Sequence, residues 1–233
     1  MDVLEFKKDF LENVKTEAAV LGEGSCAAFV ESMAGYLIDA EVLSDFNSSF
    51  YRGTTSKRKK YGVDGYSLDE ADYTMHLVIA DYDGVEKRSF GKKEVYDRFN
   101  KLTLFIDQAI NGNLYKEIEM STSCADLVDL LRENKEQIRK YRLLFFTDAE
   151  MSGSIKTIET FNIGGIPAEC QVWDIGRLFR VCSSDLGRQN INIDFTNYRC
   201  KGLPCIQGVI VKSGVWILRR HSCLIGPIHV FRP

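Results

Sequence analysis

The sequence predicts an α/β domain with a mixed sheet flanked by helices, and three observations carry that reading. Val95, Phe99, Leu102, Ile106 and Ala109 recur at steps of four and three, which marks Lys92 to Ile110 as a helix with one apolar face. Leu77, Val78, Ile79 and Ala80 form a short unbroken apolar run, the pattern of a strand buried on both faces. Arg142 to Phe146 is a second such run and directly follows another helical pattern. Strands alternating with helices argue for this class rather than for an all-helical or all-strand chain.

Each element follows in turn. Residues 3 to 19 read as a helix with Leu4, Phe10, Leu11 and Val14 on its apolar side and Lys7, Lys8 and Lys15 among the polar positions. Gly22 and Gly24 break it, and Ser25 can cap a second helix bearing Phe29, Val30, Met33, Leu37 and Ala40. Asn47, Ser48 and Ser49 close that helix, and Phe50-Tyr51 begins a short strand. Tyr61 to Leu68 and Thr74 to Tyr82 are two strands joined through Asp69, Glu70, Ala71 and Asp72 as a hairpin, and Asp83-Gly84 is a further turn. After the Lys92–Ile110 helix, Asn111-Gly112 supplies a stop, and Ser123 can cap a helix running through Ile138. Ile163 to Pro167 reads as a turn, Gln171 to Trp173 as a strand, and Asp174 as the cap of a short helix through Leu178 and Phe179. Ile191 to Phe195 is the last strand, and the expected core is Phe29, Met33, Leu37, Leu77, Ile79, Val95, Phe99, Leu102, Ile106, Leu144 and Phe146.

Composition narrows the function classes. The 233 residues carry a net charge of −3, so any nucleic-acid contact must be local rather than a matter of bulk charge. The N-terminus mixes charged and apolar residues without a continuous apolar core, and no apolar stretch is long enough to cross a bilayer, which points to the cytoplasm. Seven scattered cysteines favour reduced thiols. Cys200, Cys205, His221, Cys223 and His229 could be read as zinc ligands, but Cys-x4-Cys with His-x-Cys is not a standard spacing, and incidental cysteines are the plainer reading. No Gly-x-Gly-x-x-Gly, Walker, Gly-x-Ser-x-Gly or His-Glu-x-x-His motif occurs. His76, inside an apolar strand, reads as a packed core histidine.

The chemistry-bearing stretch is residues 52 to 83. It opens with Arg52, Lys57, Arg58, Lys59 and Lys60 and then turns to Asp64, Asp69, Glu70, Asp72, Asp81 and Asp83. Paired carboxylates neutralise a hard cation such as Mg²⁺ or Mn²⁺, and neighbouring lysines neutralise phosphate oxygens, so the stretch could seat a metal beside a nucleic-acid phosphate. The plainer reading is a solvated hairpin. The order helix, three strands, helix, strand is also the αβββαβ order of the restriction-endonuclease-like fold, if Phe50-Tyr51 begins the first strand. Nucleases of the PD-(D/E)XK superfamily draw on a Glu from the first helix, an Asp on the second strand and an acid-x-Lys on the third. Glu31, Asp64 and Asp81 fall on those elements as candidate catalytic residues, with Asp64 and Asp81 as metal ligands and Lys57, Arg58, Lys59 and Lys60 as nucleic-acid contacts. The departure is Asp81-Tyr82-Asp83, which puts Asp where Lys belongs; Lys59 or Lys60 would have to substitute.

Several segments together resemble the N-terminal region of the AIPR family, bacterial abortive-infection phage-resistance proteins. They are VDGYSLDE with HLVIADYD, EVYDRFNKLTLFIDQAI, RLLFFTD, QVWDIGRLFRV and INIDFTNYRC. The resemblance covers roughly residues 3 to 207, assigned as an AIPR-like domain spanning 1–207. It implies a cytoplasmic anti-phage role in which infection triggers damage to the host cell. Joined to the acids of residues 52 to 83, it leaves two readings: a nuclease-like domain, intact or degenerate, or a non-enzymatic sensing or assembly domain that binds a phage or host protein. Proteins of this family continue well beyond this length. Residues 208–233 lack Asp and Glu but keep Lys212, Arg219, Arg220 and Arg232, an atypical basic tail expected from a truncation or frameshift just after Gln207. A genuine basic hairpin is the alternative there.

Overall fold

The computed structural model describes residues 2–22, 24–85, 88–119, 121–151 and 158–186. The expected strand at Ile191 to Phe195, the zinc-like group and the basic tail all lie outside them. The chain opens with helices α1 (Val3–Leu21) and α2 (Ser25–Asp39). Strands β1 (Asn47–Thr54), β2 (Lys60–Asp69) and β3 (Thr74–Asp81) follow, then the short β4 (Ser89–Phe90). Next come helices α3 (Lys92–Ile110), α4 (Leu114–Glu117) and α5 (Ser123–Glu133). Strands β5 (Lys140–Thr147), β6 (Glu150–Met151), β7 (Phe161–Ile163) and β8 (Ile166–Asp174) lead into helix α6 (Ile175–Leu186).

Six strands form one mixed sheet in the order β1-β2-β3-β5-β8-β7, and β4 pairs with β6 beside it. The β1-β2-β3 meander is antiparallel, whereas β3, β5 and β8 run parallel. Helix, three antiparallel strands, helix and parallel strand therefore occur in the order the sequence predicts. None of the described helices is long and apolar enough to cross a membrane.

Strands β3 and β5 are buried on both faces, and their side chains alternate between two cores. Leu77, Ile79, Tyr141, Leu143 and Phe145 join α3 and α5 on one side through Val95, Phe99, Leu102, Ile106, Leu127 and Leu131. Val78, Ala80, Leu144, Phe146 and Trp173 join α1, α2 and α6 on the other through Phe10, Phe29, Met33, Leu37 and Leu178. All eleven expected core residues are buried. Helix α3 has the predicted bounds, and its N-terminus is closed by Glu94, whose carboxylate accepts the Gly91 N–H at 2.8 Å.

Several boundaries differ from expectation. Ser25 and Ser123 are the first helical residues of α2 and α5, and Gly24 and Thr122 hold the cap positions without side-chain cap bonds. Helix α5 stops at Glu133, with buried Ile138 in the connection to β5. Asn47–Ser49 begin β1 rather than close a helix. On α1, Phe10, Leu11 and Val14 are buried as expected, while Leu4 is exposed and Lys7 is buried. Asp174 caps as predicted, its Oδ1 accepting the Arg177 N–H at 2.7 Å.

His76 is buried, as expected, in a polar row across the sheet. Ser67, His76, Arg142 and Glu169 are register partners on β2, β3, β5 and β8. Arg142 Nη1 lies 3.4 Å from His76 Nε2, and since guanidinium only donates, Nε2 accepts and Nδ1 carries the proton. Burial first, and Arg142 second, push the imidazole down to about 4. A depressed base is neutral when folded and takes up its proton on unfolding. Its stability contribution is present above pH 6.5 and is lost as pH falls toward 4, by roughly 3 kcal/mol in all. Urea melts of His76→Gln between these pH values should show a flatter decline than wild type, and identical slopes would refute the assignment.

Candidate functional site

The register brings three side chains to one edge. Asp81 pairs with Thr147 and Thr147 with Asp174, so these residues stand in a row at the carboxyl ends of β3, β5 and β8. Carboxyl ends of parallel strands are where ligands bind in open α/β sheets. Because β2 runs antiparallel to β3, the β1–β2 hairpin tip lies at the same edge. Bonds from Thr55 N to Lys59 O (2.9 Å) and from Arg58 N to Thr55 O (2.8 Å) close that tip. Arg58 adopts φ +60°, and Lys57, Arg58, Lys59 and Lys60 are all exposed. The cationic loop and the acids of β3 are thus neighbours by topology.

Asp64 sits where β2 and β3 part. Their ladder runs from Asp69–Thr74 to Gly65–Val78. Just past it, the Ala80 N–H donates to Asp64 Oδ2 at 2.7 Å, so a side chain takes over from the ladder. Arg52 Nη2 donates to both carboxylate oxygens, at 2.7 and 2.9 Å, and Nη1 to Val63 O at 2.8 Å. Burial pushes the Asp64 carboxyl up, while Arg52 and the Ala80 amide pull it back. Gly65 follows because a side chain there would strike the Phe46 ring.

Asp81 is held from two directions. Arg88 Nη2 donates to its Oδ1 and Arg98 Nη2, from α3, to its Oδ2. Arg88 also faces Asp83 Oδ2 (3.5 Å) and Asp148 Oδ1 (3.9 Å), and its guanidinium stacks over Phe90. Asp148, at the end of β5, is fully buried and accepts the Gly84 N–H at 2.7 Å and the Asp83 N–H at 3.3 Å. Glu31 is exposed on α2 and accepts from Ser48 Oγ of β1.

Cys26, in the first turn of α2, reports on this grouping. Burial lifts its thiol to about 11, with Asp64, Asp81 and Asp148 adding to the rise and Arg52 opposing it. Among the described residues, no three His, Cys, Asp or Glu side chains are set to enclose a metal ion. Seating a divalent ion between Asp64 and Asp81 requires breaking their arginine pairs, so the expected pair fits such an ion poorly.

Sequence reasoning missed Arg88, Arg98 and Asp148. A missing Lys after Asp81 was legible; that two arginines occupy the carboxylate was not, since they come from a loop and a helix.

A scan against family models matches residues 29–180 to one described as the abortive infection phage resistance protein N-terminal domain. No curated protein and no solved structure matches the chain.

Proposed function

The chain belongs to the abortive infection phage resistance family through its N-terminal domain, and on that premise we propose that it acts in phage defence as a degenerate nuclease-like domain, gripping nucleic acid without cutting it. The observation that carries this reading is Asp81 clasped between Arg88 and Arg98. Asp64 is engaged in the same way by Arg52. A metal-dependent nuclease needs such carboxylates free to bind the ion that activates water. Meanwhile four exposed cations stand at the same edge, suited to phosphate oxygens. The competing reading, a sensing or assembly domain for a phage or host protein, draws on the same occupied carboxylates.

The test combines binding and cleavage of labelled DNA and RNA by purified protein, with and without Mg²⁺ or Mn²⁺. Binding without cleavage is expected, weakening as salt rises. Lys59→Gln with Lys60→Gln should reduce the slope of log affinity against log salt by about 2 if both lysines meet phosphates. Absence of binding to either polymer would transfer support to the protein-binding reading. Metal-dependent cleavage abolished by Asp64→Ala would instead restore Glu31, Asp64 and Asp81 as catalytic residues, with Mg²⁺ or Mn²⁺ as cofactor.

A further inference from the structure

Asp148 is a carboxylate with a side left over. Its Oδ2 accepts two backbone N–H groups, from Asp83 and Gly84. Its Oδ1 is buried and accepts no hydrogen bond. Leaving an ionised oxygen buried and unpartnered is costly, and native structures rarely do so without a reason. The nearest cation is Arg88 Nη1 at 3.9 Å, and that same nitrogen lies 3.5 Å from Asp83 Oδ2. Both distances exceed a hydrogen bond. Arg88 commits its other terminal nitrogen to Asp81, which Arg98 also holds. Three carboxylates therefore share two guanidinium groups, and one negative charge remains uncompensated beside Asp83 and Asp148.

We propose that Asp83 and Asp148 form a seat for one divalent cation of the Mg²⁺ or Mn²⁺ class, distinct from the Asp64–Asp81 pair. The donors are carboxylate oxygens alone, which suits a hard ion and not zinc. Mg²⁺ keeps several of its waters and commonly takes only one or two protein carboxylates, with phosphate oxygens completing the shell, so no three-residue cage is needed. Asp83 is 60% exposed, which gives the ion a path in. Its backbone N–H is held by Asp148, so the two ligands are joined before any ion arrives. Arg88 is the competitor that the ion displaces from the space between them.

Manganese titration of the purified chain, without nucleic acid, tests the seat separately from the hairpin's role. The electron paramagnetic resonance signal of free Mn²⁺ measures binding, and one ion per chain is expected, displaced by excess Mg²⁺. Asp148→Asn keeps an oxygen for the two N–H groups but removes the charge, and should weaken binding about tenfold or more, at least the cost of losing an outer-shell partner. Asp83→Asn, at an exposed side chain, should do the same and guards against misfolding of the first variant. Arg88→Gln should tighten binding by removing the competitor. Failure of the wild type to bind Mn²⁺, or binding that both Asn variants leave unchanged, overturns the proposal.

Discussion

Asp64→Ala is expected to lower folding stability by about 3 kcal/mol, a fall of roughly 6–12 °C in melting temperature for a domain of this size. The substitution strands the Ala80 N–H inside the sheet, at the point where the β2–β3 ladder has ended. It also releases Arg52, but that side chain is 53% exposed and turns to water at little cost. Most of the loss therefore belongs to the amide and to the space left behind. Asp64→Asn still offers an oxygen to Ala80 and should cost far less. The pH dependence separates the variants further. Burial outweighs Arg52 and the Ala80 amide and raises the carboxyl, so the folded state holds this proton more tightly than the unfolded chain. That contribution is fully present below the usual carboxylate range and is lost as pH rises through it and above. Asn at this position should remove that decline. Equal melting temperatures for Asp64→Ala and wild type would show that the carboxylate has no such structural role.

The largest loss should come from Phe146→Ala, about 4 kcal/mol by denaturant melts. Phe146 is fully buried on β5, the strand between β3 and β8, and packs in the core shared with Phe29, Met33, Leu37 and Trp173. Its neighbour Phe145 packs into the opposite core. Backbone collapse to fill one hole is blocked, because shifting β5 would disturb the packing on its other face. Phe50→Ala on edge strand β1 is the control: with Phe50 43% exposed, its cost should stay within about 0.5 kcal/mol. A comparable loss from both substitutions would contradict the two-core arrangement.

The interior was the legible part of this chain. Burial on both faces leaves an unbroken apolar run, as in Leu77–Ala80, and burial on one face leaves a period near 3.6, as in Val95–Ala109. Either pattern can be read without knowing the partners. The opening of β1 escaped because Asn47, Ser48 and Ser49 have turn-like chemistry and lie on an edge, where half the side chains face water. On α1, the exposure of Leu4 and the burial of Lys7 escaped because they reverse the signals that amphipathicity relies on. At the candidate site, Asp64 and Asp81 could be placed because each lies in a recognisable strand. Their arginine partners could not. Arg52, Arg88 and Arg98 reach Asp64 and Asp81 across separations of 12, 7 and 17 residues, and nothing local in the sequence records such a meeting. Asp148 directly follows a recognisable strand, and the loop it holds comes from the distant end of β3.

The small β4–β6 ladder makes the turns after β3 and β5 one mechanical unit. Ser89–Phe90 pairs with Glu150–Met151, the Glu150 N–H donates to Arg88 O at 2.9 Å, and Asp148 grips the Asp83 and Gly84 amides. Met151 N–H is tied in turn to Asp174 Oδ2 at 3.1 Å, at the end of β8. Three strand ends are thereby laced into a continuous rim. Such a rim opens as a unit, with a single free energy of opening in place of three independent ones. A ligand that stiffens any one of these turns raises the cost of fraying the other two.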